Sequence, residues 1–324
     1  MATTPRVLHL NDCAFVGANL VEAATAQGLP WRILPPQLTW PPLRAGRSRP
    51  TRAAAYRTLA RIGLAAARSD VIHVHYATTV ARIAPRYIPD RPYVLHLHGT
   101  DIRTLWHQAA RHATLQRYID GAAHVYYSTP DNAEDATTAR PDAEYLPVVF
   151  DPSALPAWTP GGYVAFSSRW EEVKGLEGML EVARQLIAAG VPVRGLDWGP
   201  GAEEAARLGV ELIPKAPHED FLQFLANASV VVGQATRILS VSELEAMGIG
   251  APLAAVGRHY PGPDGEPLPI RNGDVDDVVS AVLSDFADPE AAADQLGSRE
   301  WALRQHTAPG QISRLEETYR RISG

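Results

Sequence analysis

Short runs rich in Val, Ile and Leu alternate with longer amphipathic stretches, and this alternation constrains the fold more than any other feature of the chain. In the first half the runs predict strands at 7–10, 31–34, 71–74, 93–97, 124–127 and 143–146, with helical patterns at 16–27, 53–67 and 104–118. The second half begins again with strands at 162–167, 193–197, 210–213, 229–232 and 252–255. Helices are expected between them at 174–189, 202–208, 218–227 and 241–249. Strands alternating with helices build parallel sheets through right-handed crossovers. The expected class is α/β.

Between the halves lies FDPSALPAWTPGG (150–162), dense in Pro and Gly and without period, which reads as an inter-domain linker. A length of 324 residues suits two domains. Beyond about residue 272 the pattern is helical to the end, and that tail is expected to pack across both domains. Ligands of open parallel sheets bind beyond the carboxyl ends of the strands. The cleft between two such sheets is the expected active site.

Composition excludes several classes. With 46% hydrophobic residues the chain can fill two cores, and its single cysteine, Cys13, cannot form an internal disulfide. The first 160 residues carry a mild positive charge and the remainder is acidic, for a net charge of -6. Nucleic-acid binding normally needs a dense basic face and is not expected. No apolar run approaches the ~18 residues of a transmembrane helix, and the start of the chain lacks the pattern of a secretory signal. The expected setting is a reducing cytoplasm, without stable membrane insertion. The basic residues are almost all Arg, which singles out the two lysines, Lys174 and Lys215.

Two segments carry most of the chemistry. In FSSRWEEVKGLEGML a strand gives way to Arg169, Lys174 and Gly175, after which a helix begins. Two cations beside a positively polarised helix start suit a diphosphate, with Arg as a fork and Lys as a compact charge. The alternative is a solvated loop in which these cations pair with Glu171 and Glu172. In LSVSELEAMGIGAP, Ser240 and Glu243 have capping-box spacing, and the amides at that helix start could hold a phosphate. Glu245 lies one turn in, where a carboxylate can accept both hydroxyls of a ribose. Otherwise both glutamates simply complement the helix dipole.

Together these segments resemble the retaining GT-B glycosyltransferases of family 4, whose pattern runs GR…KG and later Glu, seven residues, Glu-Ala-Met-Ala-x-Gly-x-Pro. Other landmarks fall in order over nearly the whole chain: IHVHYATT (72–79), LHLHGTD (95–101), STPD (128–131), YLPVVFD (145–151), LDWGPG (196–201), VELIPKAPHEDFLQFLANASVVVG (210–233) and REWALRQHT (299–307). The resemblance implies two Rossmann-like parallel-sheet domains facing across a cleft. An acceptor domain would span 1–152 and a nucleotide-sugar donor domain 161–300, with 301–324 a helix returning to the first.

Carried over residue by residue, it gives Arg169 and Lys174 the donor diphosphate, with the amides around Val241 and Ser242 on the distal phosphate. Glu245 would take the ribose, and the Lys215–Ala216 backbone the base. His98 matches the histidine that faces the transferred sugar; its plainer reading is a strand-end histidine bonded to neighbouring backbone. Asp101 is a candidate for positioning the acceptor. Gly17 would sit in an N-terminal glycine loop, although the usual Gly-Gly is absent. Arg237 stands where the family has its first Glu, the donor-sugar contact. Glu243 or Gln234 could cover that role, the sugar could be unusual, or the enzyme degenerate.

The implied activity is hexosyl or N-acetylhexosaminyl transfer from a nucleoside-diphosphate sugar, UDP first and GDP second, to a small-molecule or lipid-linked acceptor. No metal and no other cofactor is expected. The alternatives are a GT-B sugar-nucleotide 2-epimerase and a non-catalytic nucleotide-sugar-binding subunit. A nicotinamide dehydrogenase is disfavoured because NDCAFVGANL, after the first strand, lacks Gly-x-Gly-x-x-Gly. The Pro- and Arg-rich stretch 35–52 is an exposed connection that could flank the acceptor mouth.

Overall fold

The computed structural model describes residues 4–42, 50–84 and 88–324. The chain forms two compact units, one of 1–149 with 308–324 and one of 150–307. In the first, β1 (Val7–Leu10), α1 (Val16–Ala26), β2 (Trp31–Leu34), a short turn α2 (Pro36–Thr39) and α3 (Arg52–Ala67) lead to β3 (Val71–His75). β4 (Tyr93–Leu97), α4 (Ala109–Asp120), β5 (His124–Tyr127), α5 (Ala133–Ala139) and β6 (Glu144–Tyr145) follow. The second unit holds β7 (Val164–Phe166), α6 (Leu176–Ala188), β8 (Val193–Leu196), α7 (Ala202–Leu208), β9 (Glu211–Ile213), α8 (His218–Ala226) and β10 (Val230–Val232). It continues with α9 (Val241–Ile249), β11 (Leu253–Val256), β12 (Arg271–Gly273), α10 (Val275–Ala287), α11 (Pro289–Leu296) and α12 (Ser298–Gln305). The last helix, α13 (Ala308–Ser323), belongs to the first unit.

Both sheets are six-stranded, in the orders β2-β1-β3-β4-β5-β6 and β12-β11-β10-β7-β8-β9. Every pairing is parallel. Each order reverses direction once, between β1 and β3 and between β7 and β10. Such a switch point opens a crevice at the strand ends, because successive crossovers leave to opposite sides.

The helices bury one face each. On α6, Met179, Val182, Ala183 and Leu186 follow the helical period into the core of the second unit. Full burial of each large side chain contributes about 1.5–3 kcal/mol. On α13, Ala308, Ile312, Leu315 and Tyr319 do the same in the first unit. There Thr318 and Tyr126 share a 2.7 Å hydroxyl contact, and Arg314 donates to the Tyr145 carbonyl at 2.7 Å.

The structure departs from expectation in several places. The helix expected over 104–118 starts later, as α4 at Ala109, and is preceded by a wide turn, Asp101–Leu105, and a break. His112 fills that break by bonding the Trp106 carbonyl at 2.8 Å. The strand β12 was not expected: it is a polar edge strand, paired on one side only, and so carries no apolar signal, while the chain beyond it forms α10 to α13. The 150–162 stretch is not a free linker, since Phe150 is fully buried and the Thr159 and Gly161 amides bond Ala226 and Asn227 at 2.9 and 2.7 Å. Within the expected 301–324 helix, α12 stays with the second unit and only α13 joins the first. Of the 35–52 connection, 43–49 lie outside the described residues; Thr51 caps α3 by accepting from the Ala54 amide at 3.2 Å.

Candidate functional site

In the second unit the predicted residues gather around the switch point. Arg169 and Lys174 follow β7, while Gln234 and Arg237 follow β10. Lys174 Nζ donates to Gln234 Oε1 at 2.7 Å, and the Lys174 carbonyl accepts from the Ala235 amide at 2.9 Å, so the two loops are joined twice. Gly175 makes this approach feasible. It takes φ +75°, and a Cβ there would collide with the Ala235 carbonyl.

Arg169 pairs with Glu171, as the solvated-loop reading anticipated, and both side chains are about one-third exposed. Its guanidinium also lies 5.5 Å from the ring centroid of Trp198. Lys215, in the loop with Ala216 between β9 and α8, places its ammonium 4.2 Å from the same ring. The half-exposed Trp198 indole thus contacts cations from two loops, an arrangement worth about 0.5–1 kcal/mol per contact at an exposed site. Trp198 received no role from the sequence beyond its glycine turn.

The start of α9 is built around Glu243. Its carboxylate accepts from the Gln234 amide, from the Ser240 amide at 2.5 Å and from the Ser240 hydroxyl at 2.9 Å. The side chain is fully buried. Burial pushes its carboxyl up, against the opposing pull of those donors and of Lys174. Its oxygens thus accept three donors from the 234–240 loop and hold that loop in place. Gln234 is likewise engaged, with Lys174 on its carbonyl and the Ile238 carbonyl on its amide at 2.9 Å. Val241 and Ser242 open α9, where the first backbone amides of a helix lack intrahelical acceptors. Glu245 is buried and accepts from His218 Nε2 at 2.9 Å, which raises the His218 pKa above its usual value. Arg237 lies over the Tyr260 ring at 4.3 Å and donates to the Arg258 carbonyl at 3.4 Å.

In the first unit the residues meet at the switch point between β1 and β3. Gly17 is not in a loop, a correction to the sequence reading: it lies in the first turn of α1, with its amide on Asp12 Oδ1 at 2.8 Å. The preceding loop takes left-handed backbone at three non-glycine residues, Asn11, Ala14 and Phe15 (φ 70°, 52° and 61°). Each costs on the order of 1–3 kcal/mol, and such outliers cluster at functional sites. Tyr76, just after β3, is a fourth (φ 79°). Asp101 lies between the ends of β3 and β4. It is buried, and its carboxylate accepts from the amides of Ala77 (2.9 Å), His98 (3.0 Å) and Ile102 (3.1 Å). Burial raises its pKa to about 6 against those donors. Asp101 therefore fixes the backbone that carries His98.

Sequence reasoning missed His75. Its Nδ1 lies 3.0 Å from His98 Nε2, and a Cβ on Gly17 would sit 2.9 Å from its Nε2, so it links the two predicted residues. The signal was present in IHVH and LHLH, where alternate histidines must share one face of adjacent strands. Ring nitrogens of His9, His73 and His75, and of His75, His96 and His98, lie within 4.8 Å of one another, a grouping that spacing within one segment could not show. The first trio does not fit a metal. The His73 and His75 rings stack 8° apart at 4.6 Å, so no point lies in both ring planes, where their lone pairs would have to meet. In the second trio the 3.0 Å contact is shorter than the ~3.3 Å separating two nitrogens on a tetrahedral ion.

No family model and no curated protein matches the chain. Solved structures match it over almost its full length. A sucrose-phosphate synthase from Thermosynechococcus elongatus superposes with a TM-score of 0.68 at 16% identity, covering 98% of this chain and 99% of that one. HepE from Anabaena, in complex with UDP and glucose, gives 0.67 at 15% identity, with 97% and 99% covered. AviGT4, a glycosyltransferase of avilamycin A biosynthesis, gives 0.61 at 19% identity, with 98% of each chain covered. The fold is GT-B. Among the described residues no helix is long and apolar enough to cross a membrane.

Proposed function

We propose that the protein is a retaining glycosyltransferase that moves a hexosyl or N-acetylhexosaminyl group from a nucleoside-diphosphate sugar to a small-molecule or lipid-linked acceptor in the cytoplasm. UDP is the first choice of nucleotide and GDP the second. The reading is carried by one observation: Lys174 is held on Gln234 at the switch point of the second sheet, in the unit that also presents the start of α9 and the Glu245 carboxylate. A diphosphate needs fixed positive charge and a ribose needs an acceptor, and those residue types occur together there. The UDP and glucose in HepE, a structure of the same fold, support the same class of donor.

In this reading Arg169, Lys174 and the Val241–Ser242 amides take the negative charge that develops on the leaving diphosphate. Prepositioned donors do this without reorganising as the bond breaks, which is commonly the largest single contribution to catalysis. No metal is required for that neutralisation. Glu245 holds the ribose, the Lys215–Ala216 backbone the base, and His98 faces the sugar. Arg237 stands where the family's sugar-binding Glu is expected and sets this enzyme's sugar contact apart.

Thermal unfolding with UDP, GDP, ADP and TDP tests the proposal. A ligand that binds only the native state stabilises it by RT ln(1 + [L]/Kd), about 2.7 kcal/mol at a hundredfold excess over Kd. A shift with UDP or GDP is expected, and no shift with any of the four overturns the reading. Product analysis with donor alone then separates transfer from epimerisation, since only an epimerase isomerises the sugar without an acceptor.

A further inference from the structure

The strands β1, β3 and β4 carry His9, His73 and His75, and His96, and His98 follows the end of β4 two residues after His96. The parallel register pairs His9 with His73 and His75 with His96, which puts these rings on one face of the sheet. Tyr319 of α13 covers that face. Its hydroxyl lies 2.5 Å from His73 Nδ1 and 3.4 Å from His9 Nε2. From His9 a line of ring contacts runs to the strand end: His9 Nδ1 to His75 Nε2 at 3.0 Å, then His75 Nδ1 to His98 Nε2 at 3.0 Å. His9, His73, His75 and Tyr319 are all fully buried.

We propose that Tyr319, His9 and His75 form a polarised hydrogen-bond chain that holds the proton of His98 on Nε2 and leaves its Nδ1 as a hydrogen-bond acceptor for the ligand. Each contact between two ring nitrogens needs one proton and no more. A neutral imidazole has only one N–H, so His75 donates on one side and accepts on the other. The three rings therefore share one tautomer: all carry the proton on Nδ1, or all carry it on Nε2. Burial holds every one of these histidines neutral, with His9 and His98 lowered to about 3.

Tyr319 selects between the two states. A phenol is a stronger donor than a neutral imidazole, so its O–H points at His73 Nδ1 across the shorter contact. The Tyr319 oxygen then presents lone pairs to His9 Nε2, which must carry the proton. Nε2–H at His9 passes along the chain as Nε2–H at His75 and at His98. Tyr319, His9 and His75 are positioning residues that act through His98. On the glycosyl-transfer reading, on which this consequence rests, His98 accepts a hydrogen bond from a hydroxyl of sugar or acceptor and does not donate one.

The test is a long-range 1H–15N spectrum of the full chain labelled with 15N-histidine, at pH 7 and without nucleotide. His9, His75 and His98 are expected to be neutral and all protonated on Nε2. Tyr319→Phe removes the selecting hydroxyl, and His75→Phe cuts the chain; each is expected to move the His98 signals toward a tautomer average. A wild-type spectrum with mixed tautomers among the three rings overturns the proposal, even if neither variant folds. So does an unchanged His98 in folded Tyr319→Phe, or capture of all three rings by one equivalent of Zn2+. Because no nucleotide is present, a uniform Nε2–H pattern would stand even if the thermal-shift experiment failed.

Discussion

Lys174 and Gln234 are joined by a 2.7 Å hydrogen bond between side chains that follow two adjacent strands, β7 and β10, of the second sheet. The bond aims a compact charge across the switch point, where a fixed donor does most for a developing anion. Lys174→Ala is expected to lower transfer or donor hydrolysis by ~10²-fold or more, the scale of losing one such donor. Its thermal midpoint should stay close to wild type. Turnover near wild type in a folded Lys174→Ala protein rejects the diphosphate role.

Glu243 supports the same loop from beneath. Without its carboxylate the Gln234 and Ser240 amides lose a buried acceptor, at about 1–3 kcal/mol for each group left unpaired. Glu243→Ala should therefore reduce unfolding free energy in urea by about 2 kcal/mol or more. Glu243→Gln should cost less, because its carbonyl retains one of the two amides. Equal and negligible losses in both variants would contradict the framing role.

The alternation of apolar runs and amphipathic stretches was enough to read most of both parallel sheets, because strands buried on both faces are rich in Val, Ile and Leu even where histidines interrupt them. The edge strand β12 escaped for the opposite reason: Arg271, Asn272 and Gly273 pair only with β11 and need no apolar side chains. In the proposed site, residue type and order singled out Lys174, Arg169 and Glu245 but could not reveal which polar groups spend their hydrogen bonds on the protein itself. Asp101 and Glu243 read as ligand contacts in sequence, yet both are buried and accept from backbone amides, one of them in each case from a neighbouring loop, Ala77 for Asp101 and Gln234 for Glu243. His75 escaped because its partners, His9 and His98, come from neighbouring strands.

On the proposed reading, Arg237 stands where a sugar-binding glutamate is expected. Its contacts, a ring face and one long bond to a carbonyl, hold little stability, so Arg237→Glu should change unfolding free energy by no more than about 1 kcal/mol. If the standard sugar contact can be restored, this variant turns over UDP- or GDP-hexoses faster than wild type. A folded variant with unchanged rates for every donor would show that the sugar is held by other groups.

Gly17 tests how tightly the first switch point is packed. A Cβ at this position would meet His75 Nε2 at 2.9 Å, Asp12 Oδ1 at 3.2 Å and Ile33 Cδ1 at 3.2 Å. His75 cannot yield easily, since it is fully buried and bonded through both ring nitrogens. Gly17→Ala is expected to cost about 1–3 kcal/mol, the usual range for overpacking a core, although alanine is the better helix former. Stability equal to or above wild type would mean that the propensity gain wins and that the ring cluster has slack.

His218 and Glu245 supply a pH signature in the second unit. The hydrogen bond to Glu245 raises the His218 pKa above 6.5, outweighing the lowering by burial. The folded chain therefore binds this proton more tightly than the unfolded chain. The resulting stabilisation is fully present below pH 6.5 and is lost as pH rises through the raised folded value. His218→Gln removes the titrating group, so the thermal midpoint of wild type should exceed that of the variant most at pH 5.5. The gap should shrink steadily toward pH 8.5. Because His218 is more than one-third exposed, solvent screens the pair and the gap should also narrow with added salt. A gap that stays constant from pH 5.5 to 8.5 would mean that His218 does not exchange its proton against Glu245.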